Sequence, residues 1–200
     1  MEEKQILTYG DKKWKKKEGI AVSARGASGG LATLWSENTF DVLNSFATQH
    51  WIFTKLTHKK FGLNFSLFNI YAPNQYKEKR ECWGTIVDFL DVYTPPNIIL
   101  VGDLNIILKD NEKKGGFFGN DLIRGQVEDI IRDQDLINIK PKQGRYTWSN
   151  KRVGENHIAA RLDRFLVQSP LLLKGKLVVL RMLVNLALDH KPILLSFEEA

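Results

Sequence analysis

Residues 69–105 read NIYAPNQYKEKRECWGTIVDFLDVYTPPNIILVGDLN. Three kinds of structure follow one another in this stretch. Pro73-Asn74 stops an apolar, strand-like segment. From Gln75 to Tyr93 the apolar residues Trp83, Ile86, Val87 and Leu90 recur at three and four, the spacing of a helix with one buried face, while Lys77, Lys79 and Arg80 are read on its solvent side. Pro95-Pro96 cannot continue a helix and ends it. Asn97 to Val101 is then almost wholly apolar, as a strand covered on both faces must be. Helix, proline break and buried strand predict a sheet with helices laid against it.

Outward from this unit the pattern is mostly strands. Leu31-Ala32-Thr33-Leu34-Trp35, Phe40 to Phe46, His50 to Thr57 and Leu63 to Tyr71 are short, rich in β-branched and aromatic residues, and separated by turn formers. They read as a four-strand antiparallel meander. Since no helices lie between them, an open α/β sheet of simple crossovers is disfavoured. Residues 109–120 form a polar, glycine-bearing loop, and a second amphipathic helix runs from about Asp121 to Asp135 with Val127, Ile130 and Ile131 on one side. Tyr146-Thr147-Trp148, Arg161 to Val167 and Ile193 to Phe197 read as further strands. The first 25 residues show no clean period, and Gly26 to Gly30 reads as a turn.

Composition sets bounds on this layout. Two hundred residues with 43% apolar content suit one domain with its own core. The net charge of +6 suits a polyanionic partner, although much of it sits in the lysine run from Lys4 to Lys17, which a solvated terminus explains equally well. A single cysteine, Cys82, excludes an internal disulfide and fits a reducing, intracellular setting, nuclear or cytoplasmic. It lies beside Trp83 in the helical pattern and is read as a core residue. No apolar run reaches membrane-spanning length; Leu177 to Leu188 comes nearest and is interrupted by Arg181 and Asn185.

Four polar motifs sit at the ends of these elements. Gly102-Asp103-Leu104-Asn105 follows the buried strand, where α/β folds often place ligands, but it also suits an Asx turn. Tyr71 and Asn74 offer a hydroxyl and an amide, or simply a rim tyrosine and a helix-capping asparagine. In Arg161-Leu162-Asp163-Arg164 a strand would place Arg161 and Asp163 on one face, which a surface ion pair also explains. Asp189-His190 joins a carboxylate to the side chain most suited to proton transfer near neutral pH. An adjacent aspartate cannot readily orient the imidazole, so Asp163 is a candidate partner for His190. His50, His58 and His157 have no supporting motif, and with one cysteine they make no zinc-like set. Oxygen donors favour Mg²⁺ or Mn²⁺ instead.

In order, Tyr71-Ala72-Pro73-Asn74, Gly102 to Asn105, Tyr146-Thr147-Trp148, Arg161 to Val167 and Asp189-His190-Lys191-Pro192-Ile193 resemble the endonuclease/exonuclease/phosphatase superfamily. The nearer likeness is to endonuclease domains of plant LINE-type non-LTR retroelements, strengthened by Arg25 to Leu31. The resemblance covers nearly the whole chain. It implies an α+β, four-layer sandwich of helix, sheet, sheet and helix, and Mg²⁺- or Mn²⁺-dependent cleavage of phosphodiesters in DNA. In that comparison Asp103 handles the proton of water or leaving group and Asn105 orients phosphate or water. Tyr71 and Asn74 hold the phosphate, with Thr147 and Trp148 supporting or lining the DNA-facing rim. Asp163 fixes the tautomer of His190, His190 polarises the phosphate, and Asp189 helps to organise the metal.

Two departures accompany the likeness. Family members begin with a strand bearing a catalytic asparagine, a helix, and a strand ending in the principal metal-binding glutamate. Those elements should precede Gly26, and the 25 residues there do not match; Glu2, Glu3 and Glu18 lie outside any apolar strand pattern. Leu188 stands where the family usually has serine. The expectation is a basic segment over 1–25 and an incomplete domain over 26–200 that lacks the first strand-helix-strand, with low stability and little nuclease activity. A phosphomonoesterase of the same superfamily and an inactive nucleic-acid-binding remnant are the alternatives.

Overall fold

The computed structural model describes residues 17–23, 30–117, 119, 121–172, 176–184 and 189–199. The lysines from Lys4 to Lys16, Glu2, Glu3, the Gly26 turn and Leu188 lie outside them.

At the centre is a six-stranded sheet. Strands β3 (Phe40–Ala47), β4 (Trp51–His58) and β5 (Leu63–Tyr71) form an antiparallel meander. Helix α1 (Tyr76–Tyr93) then crosses over to β6 (Ile98–Asp103), which pairs parallel to β5. Strand β11 (Asp163–Gln168) lies antiparallel to β6, and β8 (Leu136–Ile139) closes the order β3-β4-β5-β6-β11-β8. Thr94 takes a left-handed conformation (φ 34°), and its N–H caps the Leu90 carbonyl before Pro95-Pro96 turns the chain into β6.

Strand periodicity divides the apolar residues between the two faces. Phe68, Ile70, Leu100 and Leu166 face α1 and α2 (Arg124–Asp133), joining Trp83, Ile86, Leu90, Val127 and Ile130 in the main core. Cys82 is buried in that core as expected, and burial pushes its thiol up to about 12. Ile99 and Val167 point the other way, to a second cluster with Leu171 of α3 (Ser169–Leu172) and Leu195.

The second face carries two hairpins. Strands β1 (Lys17–Val22) and β2 (Leu31–Ser36) pair antiparallel and pack by β2 across β4 and β5, where the Asn69 amide donates to the Ala32 carbonyl at 2.8 Å. Strands β12 (Lys176–Met182) and β13 (Ile193–Glu199) pair antiparallel, with β13 against β11 and β12 against β8. A small sheet of β7 (Lys113–Lys114), β10 (Ala159–Ala160) and β9 (Trp148–Ser149) lies at one end. These mixed sheets with few helices are the α+β architecture expected from the sequence.

Several local readings change. The meander holds only for β3 to β5, because β2 pairs with β1 rather than with β3. Its partner β1, which contains Glu18, falls in the segment read as lacking a period. Strands β8 and β12 were not anticipated, and α2 begins three residues later than expected. Lys79, assigned to the solvent face of α1, is buried at 7% exposure.

Candidate active site

Two parallel strands end together at the core of the site, with Tyr71 of β5 in register with Asp103 of β6. The close approach depends on Gly102, whose φ is +128° and whose hypothetical Cβ would lie 2.0 Å from the Ile70 carbonyl oxygen. Beyond it the chain turns sharply. The Asp103 carboxylate accepts the Asn105 backbone N–H at 3.0 Å, and Asn105 adopts a left-handed φ of 48°. Its side-chain amide donates to the Ala72 carbonyl at 2.6 Å and to Asp103 Oδ2 at 3.3 Å.

From the other side, β11 places Asp163 opposite Asp103. Buried Thr147 supports it, its hydroxyl oxygen accepting the backbone N–H groups of Leu162 and Asp163, both at 3.0 Å. Thr147 and Trp148 also hold the segment that carries His190. The Lys191 N–H donates to the Thr147 carbonyl at 2.7 Å, and Trp148 bridges antiparallel to His190. His190 Nδ1 lies 2.9 Å from Asp163 Oδ2, while Nε2 stands 3.8 Å from Asp103 Oδ2. Asp103, Asn105, Asp163 and His190, separated by up to 87 positions, therefore meet at one rim.

Charge follows this geometry. Burial, then the neighbouring Asp163 carboxylate, pushes Asp103 up to about 6, against opposing pulls from His190, the Asn105 N–H and Lys79. The hydrogen bond to Asp163 raises His190 above its ordinary value, outweighing its partial burial. The Asp103 carboxyl and the His190 imidazole thus both bind a proton more tightly than they would in water, within reach of each other, as acid–base chemistry requires.

Behind the rim lies an ion cluster that motif reading missed. Glu112, in the loop read as merely polar, accepts from Arg164 at 2.7 Å and from Arg161 at 3.2 Å; all three are buried. Arg161 also donates to Asn138 and to the Ile139 carbonyl, and Arg164 to the carbonyls of Ile106 and Arg161. The cluster ties the chain on both sides of Asp163 to the turn beyond Asn105. Arg161 precedes β11 and turns inward to Glu112, so the shared face and surface ion pair with Asp163 are not what the structure shows. The only sequence signal was two arginines flanking a strand start.

The remaining candidates are spread along the rim. Tyr71 is half-buried at the end of β5, whereas Asn74 is exposed and lines a cleft of about 690 Å³ with Tyr76, Lys79, Lys113 and Arg124. Asp189 is exposed and accepts the Trp148 indole N–H at 3.1 Å. Among the described residues no group of three or more His, Cys, Asp or Glu side chains is arranged to hold a metal ion.

No protein-family model and no curated protein matches the sequence. Solved structures do match by shape. The endonuclease domain of TRAS1, a telomere-specific non-LTR retrotransposon, aligns with a TM-score of 0.69 at 16% identity over 92% of this chain and 81% of that one. Humanized D. rerio TDP2 aligns at 0.65 and 15% identity, covering 97% and 81%. The Bacteroides thetaiotaomicron mannosyl-6-phosphatase aligns at 0.62 and 14%, covering 96% and 81%. The chain has the fold of the endonuclease/exonuclease/phosphatase proteins.

Proposed function

We propose that this chain carries the phosphate-handling part of a phosphodiesterase site descended from a retroelement-type endonuclease, with DNA as its substrate. The observation that supports this most is the contact among Asp103, Asn105, Asp163 and His190 at one sheet rim. Hydrolysis needs a base for water and a donor for the charge that grows on phosphate oxygen. Asp103, once ionised, takes the water proton as the water oxygen bonds to phosphorus, and the P–O bond to the leaving oxygen breaks, that oxygen departing with the bonding pair and taking a proton from solvent. Asp163 holds His190 by Nδ1, so that protonated Nε2 donates to a phosphate oxygen. Both hydrogens of the Asn105 amide are engaged, leaving only its acceptor oxygen to orient water. Tyr71 and Asn74 are assigned to the phosphate, Trp148 to the DNA-facing rim, and Asp189 to the metal's surroundings. A divalent ion would supply further charge compensation to the phosphate.

The domain is also proposed to be incomplete. The hairpins β1-β2 and β12-β13 cover the flanks of the second face, over β4-β5 and β11-β8, and among the described residues they form two separate sheets. A strand-helix-strand lying between them would join them into one sheet. Without such a unit, low activity would be expected.

Plasmid nicking by purified protein in Mg²⁺ or Mn²⁺ tests the reading. The expected result is slow nicking that Asp103→Ala or His190→Ala reduces by roughly 10²-fold or more. Salt-dependent DNA binding without nicking, unchanged in His190→Ala, would favour an inert binding remnant. Turnover of a small phosphomonoester in place of plasmid would favour a phosphatase.

A further inference from the structure

The acid–base cluster depends on a turn whose outer side is held by one lysine. Lys79 is the fourth residue of α1, and its ammonium is buried. Its Nζ donates to the Asn105 backbone carbonyl at 2.8 Å and to Asp121 Oδ2 at 2.7 Å. Asp121 is itself fixed, because its other oxygen accepts the Ile123 N–H at 3.0 Å just before α2. Asn105 is thus gripped on both sides. Asp103 and Ala72 hold its N–H and amide inside, and Lys79 holds its carbonyl outside.

We propose that Lys79 is a positioning residue, its ammonium locking the left-handed Asn105 turn to α1 and Asp121 and so holding the Asn105 amide against Asp103. A left-handed asparagine is uncommon and needs support from its surroundings. A buried ammonium is retained where its hydrogen bonds are satisfied, and here an acceptor from each of two loops meets it. Lys79 also adds positive charge near Asp103, which faces Asp163 of β11, His190 and the Asn105 N–H from its other sides. The inference rests on the phosphoester reading for calling the cluster a site, but its test reads the cluster directly and needs no turnover.

The test is NMR on the full chain, following the Asn105 side-chain amide signals and the Asp103 carboxyl titration. In Lys79→Met the Asn105 amide pair moves, and the Asp103 midpoint rises by roughly half a pH unit or more because a favourable charge is gone. Lys79→Arg, which keeps the charge, restores at least part of that midpoint. Asp121→Asn retains an acceptor for Ile123 yet loosens the anchor, so it displaces the Asn105 amide signals with a smaller change at Asp103. A Lys79→Met protein that melts earlier while both readouts stay in place overturns the proposal. Should Lys79→Met not fold, unmoved Asn105 signals in Asp121→Asn overturn it alone. Absence of nicking with these shifts present would count against DNA hydrolysis and leave the positioning role standing.

Discussion

His190 sits between two carboxylates, bonded to Asp163 and 3.8 Å from Asp103, and this arrangement makes stability depend on pH. Folding raises Asp103 from 3.8 to about 6, so the native state binds that proton more tightly than the unfolded chain. Stability therefore falls as pH climbs from about 4 to about 6, by something on the order of 3 kcal/mol. His190 is also raised; its contribution is complete below 6.5 and is lost as pH rises through its folded value. Glu112, held low by its arginines against the pull of burial, slopes the other way, but only below about 4.5. Melting temperature should thus decline from about pH 5 to pH 8, and Asp103→Asn should flatten the lower part of that decline. Calorimetry across this range checks it; a flat wild-type profile would contradict the assigned proton affinities. Activity, where present, should follow a bell, requiring ionised Asp103 and protonated His190 together.

The elements that aim these residues rest on two tight spots. At Gly102 any Cβ meets the Ile70 carbonyl, so Gly102→Ala must push β6 away from β5 or distort both. A loss of about 2–4 kcal/mol in denaturant unfolding is expected. Glu112→Gln leaves two buried guanidinium groups short of charge and should cost about 3–5 kcal/mol. At this scale sequence reading succeeds where local pattern suffices. Trp83, Ile86 and Leu90 mark the buried face of α1, the proline pair marks its end, and Ile98 to Val101 mark a covered strand. It fails where burial is decided by distant chain. Helical spacing puts Lys79 beside Lys77 and Arg80, and nothing local shows that Asn105 and Asp121 will close over it. Glu112 likewise looks like a loop acid until Arg161 and Arg164 arrive from 49 and 52 residues away. Strand β1 opens with Lys17-Glu18-Gly19, and its pairing to β2, not its own composition, makes it a strand. The rim residues were legible because their motifs fall at strand ends; the two hairpins were not, since they take their places from the face they cover.

Across the whole molecule, one dense core between the six-stranded sheet and its helices coexists with a second face covered at two separate places. Stability should be concentrated in the first. Cys82 reports on it without any engineered probe, being 2% exposed with its thiol pushed up to about 12. Alkylation requires the thiolate and access, and the native state withholds both. Under conditions where opening is fast and reversible, the labelling rate at neutral pH should be that of the exposed thiol scaled down by the core's opening equilibrium, and should accelerate in Glu112→Gln by roughly the same factor as its measured loss of stability. The chain's one sulfhydryl is thereby a built-in clock for how often its centre breathes, readable by mass spectrometry on the unmodified protein.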